Sequence, residues 1–276
     1  MSEPSPDAAW DPDQYGRFAA DRGRPFRDLL ARVPNDSPRL VVDLGCGPGD
    51  LTRTLADRWP EARIIGVDNS AEMLERARAA DVDRRVEWVR AAVEDWDPAG
   101  CGGPIEVIVT NATLQWAPTH LRLVQAWVRA LPPGGTFAMQ VPANFSAPSH
   151  RLMREVADRH PRAADLRPGL DRANAVARPE TYAALLLDVA PVVDVWSTTY
   201  QHVLAAGAAD QGAAHPVLEW VRGTGLRPVL GVLTQVTERA AFLADYEQAL
   251  EEAYPRRPSG VLFPFSRIFA VARAAL

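Results

Sequence analysis

The chain has 276 residues, enough for one large domain or a domain with a sizeable insertion. Its composition, 47% hydrophobic and 24% charged, is that of an ordinary globular protein. The net charge of −5 gives no electrostatic support to a nucleic-acid-binding surface, and no apolar run approaches the roughly 18 residues that cross a bilayer.

The start of the chain, "MSEPSPDAAWDPDQY", is acidic and proline-rich, unlike the basic start and apolar core of a signal peptide. Residues 1–9 are expected to be disordered and the protein cytoplasmic. The two cysteines, Cys46 and Cys101, form neither a disulfide framework nor a zinc motif.

From residue 39 apolar strands alternate with helical patterns. "RLVVD" (39–43) predicts a strand and Leu51 to Trp59 a helix. "ARIIGVD" (62–68) predicts a second strand, followed by a helix capped by Asn69 or Ser70 with Met73, Leu74 and Ala77 on one face. "RVEWV" (85–89) and "IEVIVTN" (105–111) read as strands three and four. Val124, Trp127, Val128 and Leu131 recur at helical spacing between 119 and 131, and "GGTFAMQVP" (134–142) reads as a fifth strand. Near-continuous apolar strands separated by helices predict an α/β fold with a mostly parallel, Rossmann-like sheet covered on both faces.

The rhythm then changes. Residues 149–159 read as helical and 160–180 are rich in Arg, Pro and Asp. A helix over "PETYAALLLDV" leads into a strand over 192–204, further helices are expected at 215–223 and 235–253, and a last strand at 261–273. The two late strands are expected to extend the sheet, one of them antiparallel. Residues 10–276 then form a single domain, with 143–180 and 205–260 as a helical cover over the sheet's carboxyl edge, where open α/β sheets bind ligands.

The loop "GCGPGD" (45–50) ends the first strand. Dinucleotide folds use G-x-G-x-x-G or A with a pyrophosphate on the next helix N-terminus, but the last position here is Asp50. A carboxylate there competes for the positive helix end and repels a phosphate, and Asp43 adds a second negative charge. Asp68 ends the second strand 21 residues after Gly47, the spacing at which an acidic side chain takes a ribose diol. A ribose-bearing, phosphate-free, cationic ligand fits: S-adenosylmethionine.

"VDLGCGPG" followed by "GVD" resembles the first motif, and its acidic successor, of the class I S-adenosylmethionine-dependent methyltransferases. The likeness continues, towards members that methylate trans-aconitate, through "WDPDQYGRFAADRGRP" (10–25), "NATLQWAPTH" (111–120), "MQVPANFSAPSHRLMREVA" (139–157), "VDVWSTTYQH" (193–202), "GLRPVL" (225–230) and "FPFSRIFAVAR" (263–273). The resemblance implies that Gly45, Gly47 and Gly49 pass the methionine moiety beside Asp43, and that Asp68 binds the ribose hydroxyls. It also implies that Met73 packs on the adenine, the backbone N–H of Val93 bonds a ring nitrogen, and Asn111 and Ala112 lie beneath the sulfonium. The family's usual adenine-binding aspartate after the third strand is Ala92 here, so that either Glu94 or Asp95 replaces it or the cofactor is bound less tightly.

The implied substrate is a small anionic polycarboxylic acid, its carboxyl groups already ionised at neutral pH, so no obligatory catalytic base and no metal is expected. Arginines suit such an anion because the guanidinium pairs with carboxylates bidentately. Arg24 and Arg267 are the candidates, with Tyr15, Trp116, Asn144 and Tyr200 as polar or aromatic neighbours. His120, His160 and His215 read as surface or capping residues; His150 and His202 sit in the family-like segments. Methyl transfer to another acid, a phenol or an amine, and a non-catalytic nucleoside-binding role, are the alternatives; a nicotinamide dehydrogenase is disfavoured by Asp50.

Overall fold

A computed structural model describes residues 19–171, 175–206 and 213–276, with side chains from residue 23 onward. The expected disorder of residues 1–9, and Tyr15, lie outside the described residues.

The seven strands are β1 (Leu40–Leu44), β2 (Arg63–Asp68), β3 (Val86–Arg90), β4 (Val107–Asn111), β5 (Thr136–Pro142), β6 (Val192–Leu204) and β7 (Val261–Arg273). They form one sheet in the order β3-β2-β1-β4-β5-β7-β6. The first five are parallel, and β7 runs antiparallel to β5 with Gln140 opposite Phe269 and Pro142 opposite Arg267. This is the mostly parallel α/β sheet read from the sequence.

The chain clusters into two compact units. One contains Ala20–Pro142, Ala175–Thr198 and Arg267–Leu276, the other Ala143–Asn174 and Thr199–Ser266, so β6 and β7 contribute residues to both. In the sheet unit, helices α1 (Ala19–Leu30), α2 (Asp50–Arg58), α3 (Ala71–Ala80), α4 (His120–Arg129) and α7 (Pro179–Leu187) accompany the strands. Apolar β-branched residues fill the parallel strands because both faces are covered: Val41, Val42, Ile64, Val107, Ile108 and Val109 are all buried. The α4 stripe behaves as its spacing predicts, with Val124, Trp127, Val128 and Leu131 buried.

The second unit packs α5 (Pro148–Arg159), α6 (Ala163–Leu170), α8 (Pro216–Arg222), α9 (Arg227–Val232) and α10 (Val236–Ala253) around an aromatic core. Trp220, Phe242, Tyr246, Tyr254, Phe263 and Phe265 dominate that core. Two buried hydroxyls pin α5: Tyr246 donates to the Ser149 carbonyl at 2.8 Å, and Tyr254 accepts from Ser149 N–H at 3.0 Å.

Three helices depart from the sequence reading. α1 keeps Pro25 within its span, and that proline hid it. α6, in the stretch rich in Arg, Pro and Asp, includes Pro168 and was not placed individually within the expected helical cover, and nor was α9, which is six residues long and too short for a periodic signal.

Candidate active site

The loop after β1 is built from three glycines that serve three different ends. Gly45, Gly47 and Gly49 all adopt positive φ, which explains glycine over any side chain. A Cβ on Gly45 would sit 2.0 Å from the Thr113 hydroxyl, and one on Gly49 would sit 2.5 Å from the Trp88 ring. Those two glycines let the chain pack against itself. Among the described residues, a Cβ on Gly47 would meet nothing within 4 Å. Gly47 alone of the three presents bare backbone to open space, as a loop bordering a ligand must.

Asp68 holds this loop. Its Oδ2 accepts from Gly47 N–H at 2.9 Å and its Oδ1 from Ser70 N–H at 2.8 Å. Both oxygens keep a further lone pair, so the carboxylate is fixed in orientation and still able to accept from hydroxyls. Ser70 in turn caps α3 by accepting from Met73 N–H at 3.2 Å, which seats the buried Met73 in the first turn. Ala91 N–H donates to the Asp68 carbonyl at 3.1 Å, so the segment after β3 starts alongside Asp68. In that segment Ala92 is half-buried, Val93 is buried, and Glu94 and Asp95 are both exposed.

Asp43 is buried within β1, and the Thr52 hydroxyl donates to its Oδ2 at 2.6 Å. Burial raises its pKa from 3.8 to about 7; the Thr52 bond works against that rise and the Asp68 charge adds to it. The second negative charge inferred from the sequence is therefore only partly developed near neutral pH. Asp50 opens α2 exposed and bonded to Arg53 at 3.0 Å. It adds a carboxylate at the helix start, as the argument against a phosphate requires.

At the end of β4, Asn111 and Ala112 are half-buried, and Ala112 holds φ +55°, a left-handed conformation that costs an L-residue about 1–2 kcal/mol. Its neighbours over-determine it: Ala112 N–H donates to the Gln140 carbonyl at 2.9 Å and Gln115 Nε2 to the Ala112 carbonyl at 2.5 Å. Thr113 Oγ1 reaches the Asn111 carbonyl at 3.2 Å and the Gly45 carbonyl at 3.4 Å, tying this turn to the glycine loop. The Asn111 Oδ1 atom is buried with no hydrogen-bond partner among the described residues.

Comparison with known proteins decides what this edge belongs to. Residues 41–135 match the family model described as a methyltransferase domain. The trans-aconitate 2-methyltransferase of Streptomyces avermitilis is 49% identical over 270 residues, covering 96% of both chains. That of Azoarcus sp. BH72 is 47% identical, over 95% of this chain and 98% of its own. The chain belongs to the trans-aconitate 2-methyltransferase family. Among solved structures, a methyltransferase candidate from Bacillus halodurans aligns at TM-score 0.56 and 14% identity over 91% of this chain and 98% of its own. Haemonchus contortus phosphoethanolamine N-methyltransferase 2, solved with S-adenosylhomocysteine, aligns at TM-score 0.52 and 14% identity over 91% of this chain and 52% of its own. At those identities the likeness concerns the fold.

The protein is thus a methyltransferase with S-adenosylmethionine as its cofactor. The residues present fit that group: a bare glycine backbone at Gly47, an oriented carboxylate at Asp68, a buried carboxyl at Asp43 and no phosphate-accepting helix start.

In this trans-aconitate 2-methyltransferase relative, the substrate candidates fall into both units. In the sheet unit, Arg267 is buried at 4% exposure, and its guanidinium donates to Gln140 Oε1 at 3.1 Å. Arg24 instead lies exposed on α1, 3.8 Å from Asp28, and Trp116 is 42% exposed on a short turn after β4. In the other unit, Asn144 is buried with its Oδ1 accepting from Ser266 N–H at 2.9 Å, and Tyr200 is buried 6.2 Å from the His202 ring.

Two histidines differ from the surface reading. His120 is buried, hydrogen-bonding the Ala117 carbonyl through Nδ1 and the Tyr182 hydroxyl through Nε2, both at 2.9 Å, and burial lowers its pKa. His215 is buried too, but it does cap α8, accepting from Val217 N–H at 3.2 Å. His160 accepts from Arg162 N–H at 3.1 Å in a similar local role. His150 lines a small cavity with Phe145, Met153 and Arg154, and His202 lies 4.7 Å from the Trp220 ring.

The sequence reading passed over Thr52 and Gln140. Gln140 had a signal: it is the lone amide in the apolar strand "TFAMQVP". Thr52 had none, because its partner lies on another element.

Proposed function

We propose that the protein transfers a methyl group to a carboxylate of trans-aconitate, giving its monomethyl ester. Near-full-length likeness to trans-aconitate 2-methyltransferases supports the acid, and one observation in the site carries the reading: the buried guanidinium of Arg267 on the strand that flanks β5. A guanidinium is the side chain best suited to hold a carboxylate, through paired, charge-assisted bonds.

When bound, S-adenosylmethionine would supply an electrophilic methyl group for a carboxylate oxygen, its sulfur keeping the electron pair of the broken carbon–sulfur bond in the product S-adenosylhomocysteine. Gly45, Gly47, Gly49, Asp43, Asn111 and Ala112 would line the methionine end, and Asp68 the ribose. Met73 and Val93 would frame the adenine. Arg267 would hold the acid by its carboxylates, with Arg24, Trp116, Asn144, Tyr200 and Tyr15 as further substrate candidates. The nucleophile arrives ionised, so orientation and exclusion of water provide the acceleration and no side chain removes a proton. We further propose that residues 143–180 and 205–260 form the substrate cover. The protein is read as cytoplasmic, and as acting on small molecules rather than nucleic acid in keeping with its −5 charge.

The test is a panel of di- and tricarboxylic acids, phenols and amines with labelled methyl donor. Trans-aconitate should be esterified in preference to the others. Label appearing only in phenols or amines would overturn the carboxylate reading.

A further inference from the structure

On the face of the sheet that carries Arg267 lies a second buried polar side chain, Gln140. Register places Asp43 level with Val109, Asn111 two residues further along β4, and Asn111 level with Gln140 and Phe269. Because side chains alternate along strands, Asp68, Asp43, Asn111, Gln140 and Arg267 share one face. Read across the strands, that face passes from two carboxyl groups on β2 and β1, through neutral amides on β4 and β5, to a guanidinium on β7. Three strand spacings, about 14 Å across the sheet, and four residues along the strands separate the Asp43 position on β1 from the Arg267 position on β7.

Gln140 is fully buried, and its amide orientation follows from its partner. Arg267 has only donors to offer, so the atom it meets at 3.1 Å must be the carbonyl oxygen Oε1. The NH2 end then points away from Arg267, and Nε2 is buried with no hydrogen-bond partner among the described residues. A buried donor left unmade costs about 1–3 kcal/mol, so a side chain kept this way at a ligand-binding edge marks a place for an acceptor.

We infer that Gln140 is a substrate-binding residue: its Nε2 donates to a carboxylate of the acceptor acid, beside the guanidinium that its own Oε1 holds in place. Resting on the carboxylate reading above, this deepens it by naming the neutral donor between the cationic-cofactor side and the anion side of the face. A glutamate here would bond Arg267 equally well but turn a repelling oxygen toward the acid.

The variants are Gln140→Met, which removes the donor at similar size, and Gln140→Glu. Gln140→Met should raise KM for trans-aconitate about tenfold with a smaller change in kcat, the loss of one hydrogen bond to a charged group. Gln140→Glu should raise it about a hundredfold, because a carboxylate held by Arg267 stays ionised and turns an acceptor oxygen toward the acid. S-adenosylhomocysteine should bind both variants as it binds wild type. A merely structural Gln140 would lower thermal stability and leave KM unchanged, which overturns the inference. Wild-type enzyme inactive on every carboxylic acid would instead overturn the reading on which it rests.

Discussion

The Thr52 hydroxyl donates to Asp43 Oδ2 across 2.6 Å in a place where Asp43 is only 3% exposed. That single bond is what keeps a buried carboxyl near pKa 7 instead of higher. The folded-state value lies above the unfolded 3.8, so the folded chain binds this proton more tightly. The resulting stabilisation is complete below pH about 4 and lost as pH rises through about 7, a difference of about 4 kcal/mol. Denaturant titrations at pH 5 and pH 8 should show Asp43→Asn flattening this dependence, and Thr52→Val moving its upper limit to higher pH. Binding of a cationic cofactor favours the ionised form, so calorimetry near pH 6.5 in buffers of different ionisation enthalpy should detect proton release by wild type and none by Asp43→Asn. Equal proton release by both would remove Asp43 from the cofactor's surroundings.

The glycines of the loop should separate stability from binding. Gly45→Ala places a methyl 2.0 Å from the Thr113 hydroxyl at positive φ, and should cost about 3 kcal/mol from strain and overpacking. Gly47→Ala meets open space, should cost about 1 kcal/mol, and should still weaken cofactor binding at least tenfold because the methyl enters the ligand's volume. Melting temperatures and S-adenosylhomocysteine titrations on the two variants check this. A Gly47→Ala protein binding normally would place the ligand elsewhere.

Asp68 joins loop geometry to ribose recognition, and the two roles can be separated. Asp68→Ala should weaken S-adenosylhomocysteine by roughly 1.5–3 kcal/mol, the value of hydrogen bonds to a charged group. Asp68→Asn keeps one acceptor for either Gly47 or Ser70 and should lose less. NAD should bind neither wild type nor variants, measured in the same calorimeter; tight NAD binding would sink the argument from Asp50.

The cofactor edge was legible because its determinants are local in sequence. The glycine loop, Asp68 and the capping Ser70 each follow directly from the end of a strand, and the apolar strands announce the parallel sheet by composition alone. The reason for each glycine was not legible, since Thr113 and Trp88, which exclude side chains at Gly45 and Gly49, come from the turn after β4 and from β3. The state of Asp43 was equally hidden: its residue type reads as a charge, and only burial makes it a half-neutral acid at pH 7. The helices that hold Pro25 and Pro168 were not marked in the sequence, because a proline inside a helix is a strong local signal against one and tertiary packing overrides it here. Arg267 was singled out by its apolar neighbours, but its bond to Gln140 crosses 127 residues and no sequence pattern carries it.

Arg267 is where substrate and mechanism meet. It is 4% exposed on β7, and its bond to Gln140 fixes where the guanidinium fork sits. If that fork binds the acid in ground state and transition state alike, Arg267→Ala should raise KM for trans-aconitate about a hundredfold with a smaller effect on kcat. The same change strands Gln140 Oε1 and should cost about 1–3 kcal/mol of stability, so assays belong well below the variant's melting temperature. Arg267→Lys should recover part of the affinity only, because an ammonium cannot form the forked pair. At saturating cofactor, wild-type kcat should stay nearly flat from about pH 6.5 to 8.5, well above carboxyl pKa values near 4, since no base has to lose a proton. A steep rise in kcat over that range, abolished by replacing His150 or His202, would mean a protonated nucleophile and an acceptor other than a carboxylate. Ordinary kinetics in Arg267→Ala would move the carboxylate clamp to another arginine, with the exposed Arg24 on α1 the next to replace.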